Sequence, residues 1–335
     1  MKKGRILLLL FLAALLLGCQ KEATPEEKLQ STSALTTPAA TTPPAATTLP
    51  PTTPAPTTPI PTTHQPTQPP FSATAVATGE RVKSNDRARI DYSNTAQGYV
   101  MALYTAPTST RLKAQLKGPE TTYTFHLPPG SWAAFPLTQG DGSYKLSIYE
   151  NVSGSRYALV LSHSFTAQLA DPFAPFLHAN QYVNYDAAPK TVAAAWELCQ
   201  GATEIEKVER VYRYVVEGMV YDYELAKTVA SGYAPELDRV LEAKKGICFD
   251  YAALMTGMLR SQGMPCKLVV GYAGEVYHAW ISVWTEDTGW IEGVVFFDGQ
   301  VWHQMDPTFA SSGKGDPKIL EFITNEDNYT ARYIY

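Results

Sequence analysis

The period of the apolar residues changes at Asp171-Pro172, and that change constrains the fold more than any other feature of the chain. Upstream, Val100 to Tyr104, Leu112 to Lys117, Thr121 to Leu127, Tyr144 to Tyr149 and Tyr157 to Ser162 alternate or are β-rich. Pro128-Pro129-Gly130, Gln139-Gly140-Asp141-Gly142 and Ser153-Gly154-Ser155 separate them as turns. Short strands at regular spacing argue for a β-sandwich over residues 72–170. Downstream the spacing turns helical. Ile205, Val208, Val211, Tyr212 and Val215 share one face of a segment from Glu204 to Val220, opposite Glu206, Lys207, Glu209 and Arg210. Thr191 to Cys199, a short stretch opened by Pro235, and Cys248 to about Gln262 also read as helices. Gly263-Met264-Pro265 ends the last of these, and strands follow over Lys267 to Tyr272, His278 to Thr285, Trp290 to Phe296 and Gln300 to Met305. Helices followed by antiparallel strands make residues 171–335 an α+β domain.

The first 71 residues lie outside both units. Lys2, Lys3 and Arg5 precede an apolar run, Ile6 to Leu17, too short for a spanning helix. The run ends in Leu16-Leu17-Gly18-Cys19, which resembles a bacterial lipobox. Residues 1–18 are therefore expected to be a lipoprotein signal peptide, and Cys19 the lipidated first residue of the mature chain. Residues 19–71 are dominated by Thr, Pro and Ala, and cannot bury a core. They read as a disordered stalk with polyproline character, able to reach on the order of 100 Å at ~3.1 Å per residue. This arrangement implies an extracytoplasmic protein held to the membrane by lipid.

Loss of residues 1–18 removes three cations and takes the formal charge from −5 to −8. An acidic chain gives no support for nucleic-acid binding. No Cys-x-x-Cys or His-x-x-x-His spacing suggests a metal site, and no cofactor is expected. Cys199, Cys248 and Cys266 remain besides Cys19. Cys199 and Cys266 either pair with each other or stay as buried free thiols. His126 and His163 fall in strand segments with no partner chemistry nearby.

Three residues carry nucleophile chemistry. Cys248 opens a helix, where unpaired N–H groups and the positive end of the macrodipole favour an ionised sulfur. Lys244 and Lys245 lie just upstream. His278 opens a strand, sharing a face with Trp280, Ser282 and Trp284. Asp306 closes another strand before Pro307. His303 competes as the imidazole, but strand alternation puts residues three apart on opposite faces, which favours His278 over it as the partner of Asp306. A thiol, an imidazole that ionises it and a carboxylate that orients the imidazole are the parts of an acyl-transfer site. Asp250 reads as a first-turn acid favourable to the helix dipole.

The ordered set Lys245-Gly246-Ile247-Cys248-Phe249-Asp250-Tyr251-Ala252-Ala253-Leu254, Gly263-Met264-Pro265, Val269-Val270-Gly271-Tyr272, His278-Ala279-Trp280 and Trp302-x-x-Met305-Asp306-Pro307-Thr308 resembles the transglutaminase-like superfamily. The resemblance covers about residues 204–309. It implies a papain-like core with Cys248 as nucleophile, His278 as base and Asp306 as orienting acid, acting on a protein or peptide substrate. Cys266 occupies a small-residue position of that pattern. Tyr221, in Val220-Tyr221-Asp222-Tyr223, matches an upstream segment and is the candidate side-chain donor to the oxyanion. The Asp141-Gly142-Ser143-Tyr144 run resembles the tyrosine corner of immunoglobulin-like modules, which makes the 72–170 unit an immunoglobulin-like sandwich by expectation. The competing expectation for the whole chain is a non-catalytic surface binding or scaffold protein with an idle triad.

Overall fold

The structure is a computed structural model that describes residues 73–291, 295–297, 302–304 and 326–335. The expected signal peptide over residues 1–18, Cys19, the expected stalk over 19–71 and Asp306 lie outside the described residues.

Two four-stranded antiparallel sheets form the first part of the chain. One is ordered β1-β2-β3-β6, from Val82–Ser84, Ala88–Asp91, Tyr99–Tyr104 and Ala133–Pro136. The other is ordered β5-β4-β7-β8, from Thr122–His126, Leu112–Lys117, Gly142–Ser153 and Arg156–Ala167. Alternation decides which faces turn inward. Leu112, Ala114 and Leu116 are buried while Lys113, Gln115 and Lys117 are not, and Tyr144, Leu146 and Ile148 repeat the pattern. These side chains join Ile90, Val100, Ala102 and Phe135 of the other sheet in one apolar core. The Tyr144 hydroxyl donates to the Gly140 carbonyl at 2.8 Å, and burial pushes its phenol upward. Strands β1, β2 and β6 carry little alternation of their own and are not anticipated from sequence.

The second part is built around one buried helix. Helix α1 is Pro189–Cys199, α2 Glu204–Gly218, α3 Tyr223–Thr228, α4 Leu237–Ala243 and α5 Cys248–Arg260. Helix α2 starts in a reciprocal cap: the Glu206 N–H donates to the Thr203 hydroxyl and the Thr203 N–H to the Glu206 carboxylate at 2.8 Å. It ends at Gly218, two residues short of the sequence expectation. Val220–Tyr221 instead turn extended as β9 and pair in parallel with Lys245–Gly246, β10. Helix α5 is buried from Asp250 to Arg260, as a helix apolar on nearly all sides must be. It packs on α1, α2 and α4 and, across the other side, on β11 (Cys266–Ala273) and β12 (Val276–Thr285).

That sheet is antiparallel in the order β13-β12-β11-β16, with β13 at Gly289–Ile291 and β16 at Tyr329–Ile334. The strand expected over Trp290 to Phe296 is instead two elements, β13 and β14 (Val295–Phe297), and β14 pairs with β15 (Trp302–Gln304). Strand β16 comes from beyond the residues that carry the motif pattern. Its register on β11 shifts between Val270 and Gly271. A β-carbon on Gly271 would lie 2.0 Å from the Thr330 carbonyl oxygen, so only glycine lets β16 approach here. Gly271→Ala is therefore expected to cost about 1–3 kcal/mol in a denaturant melt. A loss below the resolution of that melt would mean that β16 yields freely.

The two parts lie in one compact unit. Tyr123 and Phe125 of β5 meet Tyr335 with ring centroids 5.5 and 5.9 Å apart, and Tyr182 meets Tyr335 at 4.6 Å. Phe173 and Phe176, in the connecting segment, pack on Trp284 and Trp290 at 4.4 and 5.3 Å. No helix among the described residues is long and apolar enough to cross a membrane.

Candidate active site

Cys248 is the first residue of α5 and is half-buried, whereas Cys199 and Cys266 are buried. All three are free thiols, so the alternative in which Cys199 and Cys266 form a disulfide is ruled out for this structure. Burial pushes Cys199 up to about 11 and Cys266 up to about 12, which leaves both as inert packing groups.

Tyr221 is placed beside Cys248 by the β9–β10 pairing, which sets it level with Gly246. The Asp222 N–H donates to the Gly246 carbonyl at 2.8 Å and the Val220 N–H to the Lys244 carbonyl at 2.9 Å. Burial pushes the Tyr221 phenol up to about 12. The neighbouring Cys248 adds to the rise, and a hydrogen bond between the phenol and the Cys248 main chain works against it. The hydroxyl therefore keeps its proton at neutral pH and remains a donor. Tyr223 and Tyr251 flank it, at 5.0 and 6.4 Å between ring centroids.

Two lysines lie just upstream of the thiol. Lys245 is paired with Asp222 at 3.2 Å, and Lys244 ends α4 in the left-handed region at φ 48°. The positive potential offered by Lys245 is thus largely offset by Asp222, itself the cap of α3.

His278 is 4% exposed on β12, opposite Gly271 of β11. Its ring lies 6.4 Å from that of Trp280, nearly parallel. Ala279, Ile281 and Val283 point the other way into the core shared with α5. Helix α5, which Cys248 opens, packs on β12. Cys248 and His278 thus come from elements that pack on one another. His303 lies on β15, paired with Phe296 in a separate hairpin. His126 and His163 sit on β5 and β8, and His163 stacks near Tyr92 at 4.3 Å.

Sequence reasoning missed two residues at this end of the fold. Tyr277 looks like any strand residue, and Tyr233 lies in a turn-rich loop with no pattern to mark it. It also under-read Asp250. That carboxylate is 1% exposed, accepts from the Ile247 N–H at 2.8 Å and from the Tyr233 hydroxyl at 2.6 Å, and is held above the usual carboxylate range by burial. Among the described residues, no group of His, Cys, Asp and Glu is arranged to hold a metal ion.

Comparison with known proteins matches residues 193–293 to the family described as the transglutaminase-like superfamily. The stretch spans α1 to just past β13 and includes Cys248 and His278. A protein-glutamine gamma-glutamyltransferase of Pseudomonas aeruginosa is 27% identical over 119 residues, which is 31% of this chain and 17% of that protein. Among solved structures, the periplasmic domain of TgpA from Pseudomonas aeruginosa is 17% identical, over 63% of this chain and 93% of that one, with a TM-score of 0.33. Red sea bream transglutaminase is 14% identical, over 70% and 56%, with a TM-score of 0.25. Residues 193–293, with a buried helix that starts at the thiol and packs on an antiparallel sheet, thus match a transglutaminase-like domain.

Proposed function

We propose that this protein is a surface-anchored thiol acyl-transfer enzyme in which Cys248 is the nucleophile, His278 the base and Asp306 the group that orients it. The observation that carries this reading is the meeting of the Tyr221 phenol and the Cys248 main chain at the first turn of α5. Here the Cys248 N–H donates to the phenol oxygen, and a substrate oxyanion that enters between them would take that N–H and the phenol proton as its two donors. Cys248 is also the one described cysteine that is not buried.

The chemistry follows from those groups. The Cys248 sulfur forms a bond to a carboxamide or peptide carbonyl carbon, and the carbonyl oxygen takes the negative charge between Tyr221 and the Cys248 N–H. The carbon–nitrogen bond breaks as the His278 imidazolium gives its proton to the leaving amine. A thioester remains, and water or a second amine releases the acyl group after giving a proton back to His278. Water makes the protein a peptidase or amidase, and an amine makes it a cross-linking enzyme. The Pseudomonas relative is named for γ-glutamyl transfer, so a protein-bound glutamine is the first donor to test.

The remaining regions fit that setting. Residues 1–18 as a signal peptide, a lipid on Cys19 and the stalk over 19–71 would hold the catalytic part outside the cell, tethered to the membrane. Residues 72–170 would serve as an immunoglobulin-like accessory module, a reading supported by two antiparallel sheets on one core and the Tyr144–Gly140 hydrogen bond. Residues 171–335 would form the papain-like catalytic domain.

The test uses the full mature chain with a glutamine-bearing protein and a fluorescent primary amine. Covalent incorporation of the amine identifies cross-linking, and cleavage without incorporation identifies a hydrolase. If neither occurs and iodoacetamide alkylates Cys248 no faster than in the denatured chain, the protein is a scaffold with an idle thiol. Tyr221→Phe keeps the ring and removes the donor. Its kcat is expected to fall by about 10²–10³-fold with little change in KM, and an unchanged kcat would remove Tyr221 from the oxyanion site.

A further inference from the structure

We infer that Asp250 is a positioning residue for Cys248, held in place by Tyr233 from the loop over residues 229–236. The inference rests on the proposal that Cys248 is the nucleophile.

Asp250 lies in the first turn of α5, buried behind Cys248 and out of reach of a substrate. It acts on the residue in front of the nucleophile. Its Oδ2 accepts the Ile247 N–H at 2.8 Å, and Ile247 is the cap residue, extended at φ −97° and ψ 176°. That bond fixes the backbone at the Ile247–Cys248 junction, and with it the aim of the Cys248 N–H and side chain. Ile247 has no side-chain acceptor, so the reciprocal half of an ordinary cap is absent and Asp250 supplies the side-chain bond of this turn, beside the main-chain bonds from Asp250 and Tyr251 to the Ile247 carbonyl.

The other oxygen explains why the group is a carboxylate. Oδ1 accepts the Tyr233 hydroxyl at 2.6 Å. Both partners are donors, and an asparagine offers only one side-chain oxygen, so it would turn an NH₂ group toward one of them. A buried carboxylate without a hydrogen-bonded cation is costly, and a neutral cap would serve a helix as well. Nearby Arg239 helps the charge and Asp222 opposes it, while burial is the largest influence and favours the neutral form. Room for the carboxylate comes from Gly246, where a β-carbon would lie 2.5 Å from the Asp250 β-carbon.

Tyr233 therefore ties the loop to the nucleophile. It follows Gly232, which turns the chain at φ 87°, and it is half-buried between exposed residues and α4. Whatever moves this loop moves the acceptor that sets the cap of α5.

The experiment compares the full chain with Asp250→Asn, Tyr233→Phe and the double variant, reading kcat, KM, the rate of iodoacetamide alkylation at Cys248 and thermal stability. Each single variant is expected to lower kcat and the alkylation rate by about 10- to 100-fold, with KM changed less than about two-fold. The double variant should be no slower than Asp250→Asn alone, because Tyr233 acts through that carboxylate. Tyr233→Phe retains the ring and the capping carboxylate, so it decides the matter if Asp250→Asn fails to fold. Rates within two-fold of wild type in Tyr233→Phe overturn the inference while leaving the acyl-transfer reading intact. Loss of reactivity tracking only a fall in stability, with kcat per folded molecule unchanged, overturns it as well. A wild-type Cys248 that neither turns over nor alkylates faster than in the denatured chain sinks both.

Discussion

Cys248→Ala is expected to abolish the proposed acyl transfer and leave the fold standing. The thiol is half-buried at the first residue of α5, and the cap of that helix is made by Asp250 and the Ile247 N–H. Alanine keeps the helix start and loses only a small sulfur, so thermal stability should change by no more than about 1 kcal/mol. The chemical loss is of another order, because no other described thiol is exposed enough to take the acyl group: Cys199 and Cys266 are buried, with pKa values pushed up to about 11 and about 12. Removing the proposed nucleophile, if the site works as a unit with His278 and Asp306, costs on the order of 10⁴-fold or more in kcat. The measurement is turnover of the amide or glutamine substrate beside a thermal melt of the same sample. Residual activity above a few per cent of wild type, with the melt unchanged, would assign the chemistry elsewhere.

Arg260→Met is expected to produce the largest loss of stability. Arg260 ends α5 and is 0% exposed. Its Nε and Nη2 both donate to the Cys266 carbonyl, at 2.9 and 2.7 Å. Nη2 also donates to the Tyr335 main-chain oxygen at 2.7 Å, and Nη1 to the His178 carbonyl at 2.7 Å. Burial lowers the guanidinium to about 10, which still leaves it charged at neutral pH. The side chain thus joins the Cys helix, the start of β11, the end of β16 and the segment leading out of the first two sheets. Methionine fills much of the stem's volume and donates nothing, so the Cys266 and His178 carbonyls lose these donors, while the Tyr335 oxygen keeps the Leu268 N–H at 3.0 Å. At about 1–3 kcal/mol for each unsatisfied group, partly recovered by relaxation, the loss should be about 3–5 kcal/mol. At roughly 2–4 °C per kcal/mol, Tm falls by about 6–20 °C. A loss under about 1 kcal/mol would show that water replaces the guanidinium and that the junction is not held here.

Much of this site could be read in the sequence, and the reasons are local. Cys248 could be placed at a helix start because apolar residues follow it on nearly every face and Gly246 precedes it. His278 could be placed on a strand because Ala279, Ile281 and Val283 alternate with Trp280 and Ser282. The alternation of β4 and β7 was legible for the same reason: it depends on residues within one pleat. Strand β16 was not legible. Its six residues, Tyr329–Ile334, form a strand because β11 offers them an edge and Gly271 lets the backbone in. Helix α2 gave up its last two expected residues because β10 offered Val220 and Tyr221 a parallel partner.

The sequence by itself determined the order of elements, the thiol at the start of a buried helix and the imidazole on the sheet beneath it, since these follow from periodicity and from residues a few positions apart. The tertiary structure decided what surrounds the thiol. It set Tyr221 against the Cys248 main chain, gave the buried Asp250 carboxylate the Tyr233 hydroxyl 17 residues away, and closed Arg260 onto main-chain oxygens 75 and 82 residues distant. Such contacts form only when the chain closes long loops, and their donors and acceptors are chosen by which groups burial leaves unpaired. No local pattern of residues encodes that choice.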